Sequence, residues 1–533
     1  MRRYRATRFS ILSTQTWLAE STRASYVSSM KTERDSLPRV AVVGAGLGGL
    51  ATAIRLGSAG YPVELYEKQS GPGGKAFSEQ IGRYRFDTGP SLLTMRHVFE
   101  RLFADAGRRL EDYLTLTPLD PICRYFWRDG TRLQTSSDRE AMAQEFYRAC
   151  GEPPEHLHRF LDYSRRIHDI SAWLFLENSL HEWSTLTKPG FLASLLQLHR
   201  IDLGRTMAKA NASFFDHPKL QQLFNRYATY NGSDPWQTPA TLNIIPHVEY
   251  GLGGWAVTDG IYAIPRALER LAREVGVQIN YNTPVDRILL EEKTRRVRGV
   301  QVAGQEIPAE VVVSNADVTP TYRHLLQDAR APQLARYQKL EPSSSGVVFY
   351  WGIRRRFPEL GLHNIFFSDD YPNEFADIFQ RHRCPEDPTI YVNITSREGA
   401  PGDAPEDGEN WFILVNAPWD NGQDWEAEAA RTRAAVIGRL SAELGEDLES
   451  LIEVESRLLP PQIAERTDSW RGSLYGISSN SPMAAFRRHP NRSRRYPGLY
   501  FVGGSAHPGG GMPLVVLGAQ ITADLVQRWN RLR

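Results

Sequence analysis

The sequence predicts an α/β chain with three parts: a parallel-sheet domain built on a β-α-β unit, a mixed-sheet domain and a long helical region. Three observations predict it. A β-branched run, Arg39-Val40-Ala41-Val42-Val43, leads into a glycine turn, an apolar pattern at helical spacing and a second strand-like run that ends on an acid. The zone from Phe99 to about Leu242 carries mostly helical patterning. A later zone holds strand-like runs at 345–353, 388–395 and 411–416, rich in Val, Ile, Phe and Tyr. With 533 residues the chain has room for two or three cores.

In chain order, residues 1–38 differ from the rest. Arg2, Arg3, Arg5, Arg8 and Arg23 sit among many Ser and Thr, and Glu20 is the only acid before Met30. A transit peptide has this composition. An over-extended start with Met30 as initiator explains it as well, and is the preferred expectation. The run Val40–Val43, bounded by glycine, reads as a buried strand. Leu50, Ala53, Ile54 and Leu56 give a helix that stops at Gly60, and Val63-Glu64-Leu65-Tyr66-Glu67 is the second strand.

Between Phe99 and Leu242, Pro153-Pro154 and Pro189-Gly190 break the helical pattern. Two apolar stretches, Trp173–Leu176 and Phe191–Leu196, are flanked by Lys188, His199 and Arg200. They suit either an interfacial helix pair that dips into lipid or ordinary core helix. Residues 261–275 read as a helix, and strands follow at Val277–Tyr281, Val285–Leu290, Arg298–Val302 and Val311–Ser314. Gly402 to Gly408 is an acidic loop. A last strand, Leu499-Tyr500-Phe501-Val502, passes through a glycine cluster into a final helix near Leu514.

Composition narrows the function classes. Net charge is +1, from 63 basic and 62 acidic residues, which argues against nucleic acid as the partner. Cys123, Cys150 and Cys384 are odd in number and lack C-x-x-C spacing, so neither a disulfide framework nor a zinc site is expected. No metal site is expected elsewhere. No stretch reaches the roughly 18 uninterrupted apolar residues of a membrane span.

Gly44-Ala45-Gly46-Leu47-Gly48-Gly49 is a G-x-G-x-x-G fingerprint with a strand before it, a helix after it and Glu67 beyond. Gly44 permits the tight turn, Gly46 lets a pyrophosphate approach the backbone, and Gly49 lets helix and strand pack closely. The helix N-terminus offers N–H groups to phosphate. Glu67 lies close to the expected distance of about 20 residues, where a carboxylate holds ribose hydroxyls and disfavours an added 2′-phosphate. Beyond it, Lys68 leads to Gly73-Gly74-Lys75. An acid followed by Gly-Gly-Lys or Gly-Gly-Arg resembles the two-dinucleotide-binding-domain (GR2-type) flavoproteins, which bind FAD. Lys75 keeps the charge of the Arg seen in many relatives but loses its planar fork.

Three further blocks carry a fuller resemblance. They are Phe86-Asp87-Thr88-Gly89-Pro90-Ser91-Leu92-Leu93-Thr94, the middle block Asn225–Gly232 with Thr241–His247, and Pro497–Pro513 with its run Gly503-Gly504-Ser505-Ala506-His507-Pro508-Gly509-Gly510-Gly511-Met512. In these the chain resembles the phytoene-desaturase family of carotenoid desaturases over about residues 39 to 533. The middle block is similar to the branch that desaturates hydroxylated carotenoids at C-3,4. The resemblance implies a Rossmann-like FAD domain from 39–100, 251–320 and 456–533, a helical substrate and membrane-contact region at 101–250, and a substrate-binding domain at 321–455.

By the same resemblance, Gly44, Ala45, Gly46, Gly48, Gly49, Glu67, Lys68, Gly74 and Lys75 would bind FAD. Gly89 and Pro90 would run near the isoalloxazine, and Val285 would meet the adenine. Gly504, Gly511 and Met512 would close over the ribityl chain and flavin. Ser505 stands where relatives often carry an acid, which leaves that ribityl contact open. His507 is the catalytic candidate, with a backbone hydrogen bond that holds the turn as its alternative. Tyr227, Tyr230, Trp236, Tyr250 and Trp255 are candidate tunnel residues, and His247, Glu249 and Asp259 candidate proton acceptors. The implied activity is removal of hydrogens from an acyclic or hydroxylated carotenoid, with quinone or oxygen as electron acceptor. The implied location is cytoplasmic and peripheral to the inner membrane. Alternatives are phytoene desaturation itself, flavin-dependent isomerisation of a poly-cis carotene, a non-catalytic lipid-binding module, and an amine or porphyrinogen oxidase on the same scaffold.

Overall fold

The structure, a computed structural model, describes residues 37–531. The leader expected at 1–38 therefore lies outside the described residues, apart from its last two.

The β-branched run does form a central strand. β1 (Val40–Val43) leads through the glycine turn into α1 (Leu47–Ser58) and then β2 (Val63–Tyr66). β3 (Gln278–Asn280), β4 (Val311–Ser314) and β5 (Leu499–Phe501) complete a five-stranded sheet, and α2 (Met512–Arg531) follows β5. The order is β5-β4-β1-β2-β3, and every pair is parallel. Such a sheet needs cover on both faces, which is why β1 and β4 are buried at every position. Alternate residues of β1 serve the two faces. Val40 and Val42 share a core with α1, α2 and the helix Ala263–Glu274. Ala41 and Val43 share one with Ile288 and Val300 of a three-stranded antiparallel sheet, 285–308. α1 is sandwiched rather than amphipathic, and Leu47 through Gly57 are all buried.

A second sheet of seven strands has the order Ile452–Leu458, Ser345–Ile353, Glu409–Ala417, Ile390–Asn393, His363–Phe366, Cys123–Phe126, Arg132–Thr135. Only the pairing of His363–Phe366 with Cys123–Phe126 is parallel, so the sheet is mixed. Two expectations need correction here. The zone from Phe99 is not uniformly helical, because Cys123–Phe126 and Arg132–Thr135 pair into this sheet. Their runs are short and carry charges at half-exposed positions, which blurs a period of two. The boundary drawn between 455 and 456 falls inside the strand Ile452–Leu458, which pairs with Ser345–Ile353.

The helical part is led by Pro154–Phe175, which has proline in its first turn, and Pro189–Gln197 packs across it. Among the described residues no helix is long and apolar enough to cross a membrane.

Candidate active site

The first turn is built by close backbone contacts. A Cβ at Gly49 would collide with the Gly44 carbonyl, so only glycine lets α1 pack on the turn. A Cβ at Gly46 would lie 2.5 Å from Asn315 Oδ1. Asn315 follows β4. Its N–H donates to the Val43 carbonyl at 2.8 Å, and its Nδ2 donates to the Val502 carbonyl at 3.1 Å. This one residue, through its backbone N–H and its side-chain amide, staples the C-terminal ends of β1, β4 and β5, where a parallel sheet opens its crevice. No local pattern marked it; only its position just past a third parallel strand could have.

Glu67, just past β2, is buried. Its Oε2 accepts the Ala45 N–H at 2.7 Å and its Oε1 accepts the Gln69 N–H at 2.8 Å. The second glycine pair lies on the first turn, with the Gly73 N–H donating to the Ala45 carbonyl at 2.8 Å. Lys75 turns inward. Its ammonium donates to the Leu474 carbonyl at 2.7 Å, and burial pushes it down to about 8, against the pull of Asp317. Asp87 explains the acid of the F-D-x-G-P block. Its Oδ2 accepts the Ile261 N–H at 2.6 Å and Oδ1 pairs with Arg85 at 2.9 Å, which fixes the strand that delivers Gly89 and Pro90. The Ser505 hydroxyl accepts the Val318 N–H at 3.0 Å, so it ties its turn to the segment after β4.

These elements border a cavity of about 950 Å³. Gly44, Gly46, Gly48, Glu67, Lys68, Gly74, Lys75, Gly89, Pro90, Val285, Gly504, Gly511 and Met512 all line it. Ala45 and Gly49 do not: Ala45 contributes its buried amide to Glu67, and Gly49 serves packing. Lys68 is also tied to Asp468 at 2.8 Å. The wall where backbone approaches closely, with a helix N-terminus, an inward lysine and an acid past β2, fits the phosphates and ribose of a dinucleotide.

The same cavity continues into an apolar chamber walled by residues such as Ile122, Ile245, Val348, Ile365 and Leu414. A few polar groups converge there. Glu249 is buried and lines the wall. Its Oε1 accepts the Tyr227 hydroxyl at 2.8 Å, and its Oε2 accepts the Tyr230 hydroxyl. Arg226 stands 3.7 Å from Glu249, donates to Tyr125 Oη at 2.9 Å and lies over the Tyr227 ring at 4.6 Å. Arg226, His363 and Tyr391 line the chamber too; of these only Arg226 lies in a block that carries the resemblance, and no local pattern marks the other two.

Several expected site residues stand elsewhere. Of the tunnel candidates only Tyr230 lines the cavity. Tyr227 and Tyr250 are buried behind it and hydrogen-bond each other at 2.5 Å. Trp236 packs edge-on against Tyr371 and Phe375, and Trp255 sits under the Arg96 guanidinium at 4.8 Å. Among the proton-acceptor candidates Glu249 lines the wall, but His247 faces the His168 ring at 4.8 Å and Asp259 is exposed. His507, the catalytic candidate, is not on the cavity wall. Its buried ring turns back to the fold, where Nε2–H donates to the Asn178 carbonyl at 2.8 Å. Burial pushes it down to about 3, so it remains neutral and holds the glycine turn to the segment after Phe175. The two apolar stretches also part company. Leu174 is buried, whereas Leu192, Leu195 and Leu196 are exposed.

Comparison with known proteins agrees with this geometry. Residues 47–527 match the family model described as flavin-containing amine oxidoreductase. The chain is 41% identical over 497 residues to a 1-hydroxycarotenoid 3,4-desaturase of Flavobacterium sp. (strain P99-3), covering 93% of this chain and 100% of that one. It is 38% identical to a zeta-carotene-forming phytoene desaturase of Myxococcus xanthus, covering 92% and 94%. Among solved structures, putrescine oxidase superposes with a TM-score of 0.61 over 92% of this chain and 99% of that one, at 15% identity, which speaks to the fold. The cofactor of this fold is FAD, and the chain is an FAD-dependent oxidoreductase.

Proposed function

The chain belongs to the flavin-containing amine oxidoreductase family, and from that premise we propose that it is a carotenoid desaturase that takes two hydrogens from an acyclic 1-hydroxylated carotenoid across C-3 and C-4. The observation that carries this reading is the continuity of one cavity, polar and glycine-walled at one end and apolar at the other. A long polyene has little for a protein to hold except its apolar surface, and the chamber offers that surface.

Bound FAD would supply the redox step by accepting a hydride from the carbon beside the conjugated chain. The protein's share is placement. Glu67 would hold the ribose, the amides at the start of α1 and Lys75 the phosphates, and Val285 the adenine. Gly89, Pro90, Gly504, Gly511 and Met512 would frame the ring. The apolar walls keep water from the reacting carbons and align them. Glu249 is a carboxylate on the chamber wall, and it would take the proton released from the neighbouring carbon. Quinone or oxygen would then accept the electrons.

A greasy substrate arrives from lipid, and one surface suits that route. Trp183 is 75% exposed and Leu196 68%, with Leu192 and Leu195 exposed on the same segment. Phe486 and Leu203 are exposed and also line the cavity, so the chamber reaches the surface there. Phe486 packs on Phe175, at the end of the helix that Pro189–Gln197 crosses. These features support a peripheral attachment to the inner membrane from the cytoplasmic side.

The test is expression in cells that make hydroxylated acyclic carotenoids, with pigment mass and absorption as readout. A loss of two hydrogens with a red shift is expected. A pigment of unchanged mass with altered geometry would replace the desaturase with an isomerase.

A further inference from the structure

We propose that the Nε2–H of His363 is the hydrogen-bond donor that reads an oxygen on the polyene, so that the chamber selects a hydroxylated polyene over its hydrocarbon parent. The inference rests on the desaturase reading and names the group that sets its substrate class.

His363 opens the strand His363–Phe366, is 4% exposed, and lines the apolar chamber. Its neighbours fix the tautomer. Tyr391 Oη lies 2.7 Å from Nδ1, and Asn393 Nδ2 lies 3.3 Å from the same nitrogen. Asn393 Nδ2 also donates to the Leu362 carbonyl at 2.9 Å, which marks that atom as the amide nitrogen, a donor only. Nδ1 is therefore the bare, accepting nitrogen, and the proton sits on Nε2. Tyr391 gives its own proton to Nδ1 and accepts from Ser91 Oγ at 2.6 Å. The result is a relay, Ser91 to Tyr391 to His363, with every link directed toward Nε2.

Nε2 itself is buried and has no hydrogen-bond partner among the described residues. A buried donor without an acceptor is uncommon in native proteins. An oxygen on a ligand in the chamber would satisfy it; a hydrocarbon carries no such atom. Burial and the nearby Arg226 charge push His363 down to about 3, so it offers one neutral donor and adds no charge to the chamber. Arg226 Nη2 donates to Tyr125 Oη and stands 3.7 Å from Glu249. Arg226 Nε and Tyr371 Oη are also buried on this wall without partners among the described residues; both remain in His363→Phe, so that variant separates them from His363.

The position of the relay also suits the chemistry. It starts at Ser91, one residue past the Gly89-Pro90 turn. In a 1-hydroxylated polyene only C-2 separates the oxygen-bearing carbon from the C-3,4 bond. A donor that grips this oxygen beside the turn would set which bond reaches the hydride acceptor.

The experiment compares FAD-loaded wild type, His363→Phe, His363→Gln and Tyr391→Phe with two ligands: a 1-hydroxylated acyclic carotenoid and its hydrocarbon parent in detergent micelles. Binding is read from quenching of tryptophan fluorescence, and hydrogen loss from product mass. Wild type is expected to bind the hydroxylated ligand about tenfold to hundredfold more tightly than the parent, which leaves one buried donor unpaired. His363→Phe is expected to bring the two within about threefold of each other, His363→Gln to restore part of the preference through its amide N–H, and Tyr391→Phe to weaken it. Equal binding of the two ligands by wild type, or an undiminished preference in His363→Phe, overturns the proposal. If His363→Phe fails to take up flavin, Tyr391→Phe decides: a full wild-type preference there overturns it and a reduced one supports it. Selective binding without hydrogen loss supports the His363 donor and rejects the desaturase reading.

Discussion

The Glu67 carboxylate accepts the Ala45 amide at 2.7 Å, so the acid that ends the second strand is bonded directly to the glycine turn that ends the first. Fingerprint and acid are thus one unit, since moving either displaces the other. Glu67→Gln places an amide where a carboxylate accepts two backbone N–H groups. Hydrogen bonds to a charged acceptor contribute about 1.5–3 kcal/mol each. The variant is expected to bind FAD about tenfold to hundredfold more weakly, read by fluorescence on reconstitution.

Gly49 fails for a different reason. A Cβ there meets the Gly44 carbonyl, and α1 has no slack because it is covered on every side. Gly49→Ala is expected to cost about 1–3 kcal/mol as an overpacked core position, seen as a Tm lowered by a few degrees even before cofactor is added.

Lys75 gives a pH signature. Its ammonium is pushed down to about 8 by burial, whereas in the unfolded chain it titrates near 10.4. Between those values the unfolded chain carries the proton and the FAD-free fold does not, so stability of the FAD-free protein from this group rises with pH there. An anionic diphosphate has the opposite preference and holds the proton in place. FAD affinity should therefore be level below pH about 8 and fall above it, by up to about tenfold per pH unit. FAD release measured across pH 7 to 10 checks this. Lys75→Met should flatten the profile, and a level wild-type profile would separate Lys75 from the phosphates.

Membrane attachment is tested at Leu195 and Leu196, both exposed on Pro189–Gln197. Burying each leucine in lipid is worth about 1.5–3 kcal/mol. Leu195→Asp with Leu196→Asp is expected to reduce co-sedimentation with liposomes at least tenfold at unchanged flavin content. Unchanged sedimentation would point to another surface.

How far the molecule could be read from its sequence follows from the range of the interactions. The β-α-β unit and Glu67 were legible because fingerprint, helix and acid lie within one short stretch and each obeys a local rule. Cys123–Phe126 and Arg132–Thr135 were not, since a strand so short is stabilised by its neighbour in the sheet rather than by its own pattern. Asn315 reaches the glycine turn only after the chain has returned to lay down β4. The relay of Ser91, Tyr391 and His363 joins segments about 300 residues apart, beyond the reach of any spacing argument. Aromatic density near 227–255 suggested a tunnel, yet Tyr227 and Tyr250 form the wall behind one. His507 sat in the right turn, but its ring faces Asn178.

The central claim is that one cavity holds FAD at its glycine wall and a polyene in its chamber. Its most direct test is anaerobic mixing of the purified protein, carrying its own flavin, with a 1-hydroxylated acyclic carotenoid. One flavin reduced for each product molecule two hydrogens lighter is expected. A colourless protein that refuses added FAD, or a flavin that stays oxidised while the carotenoid is bound, would contradict it.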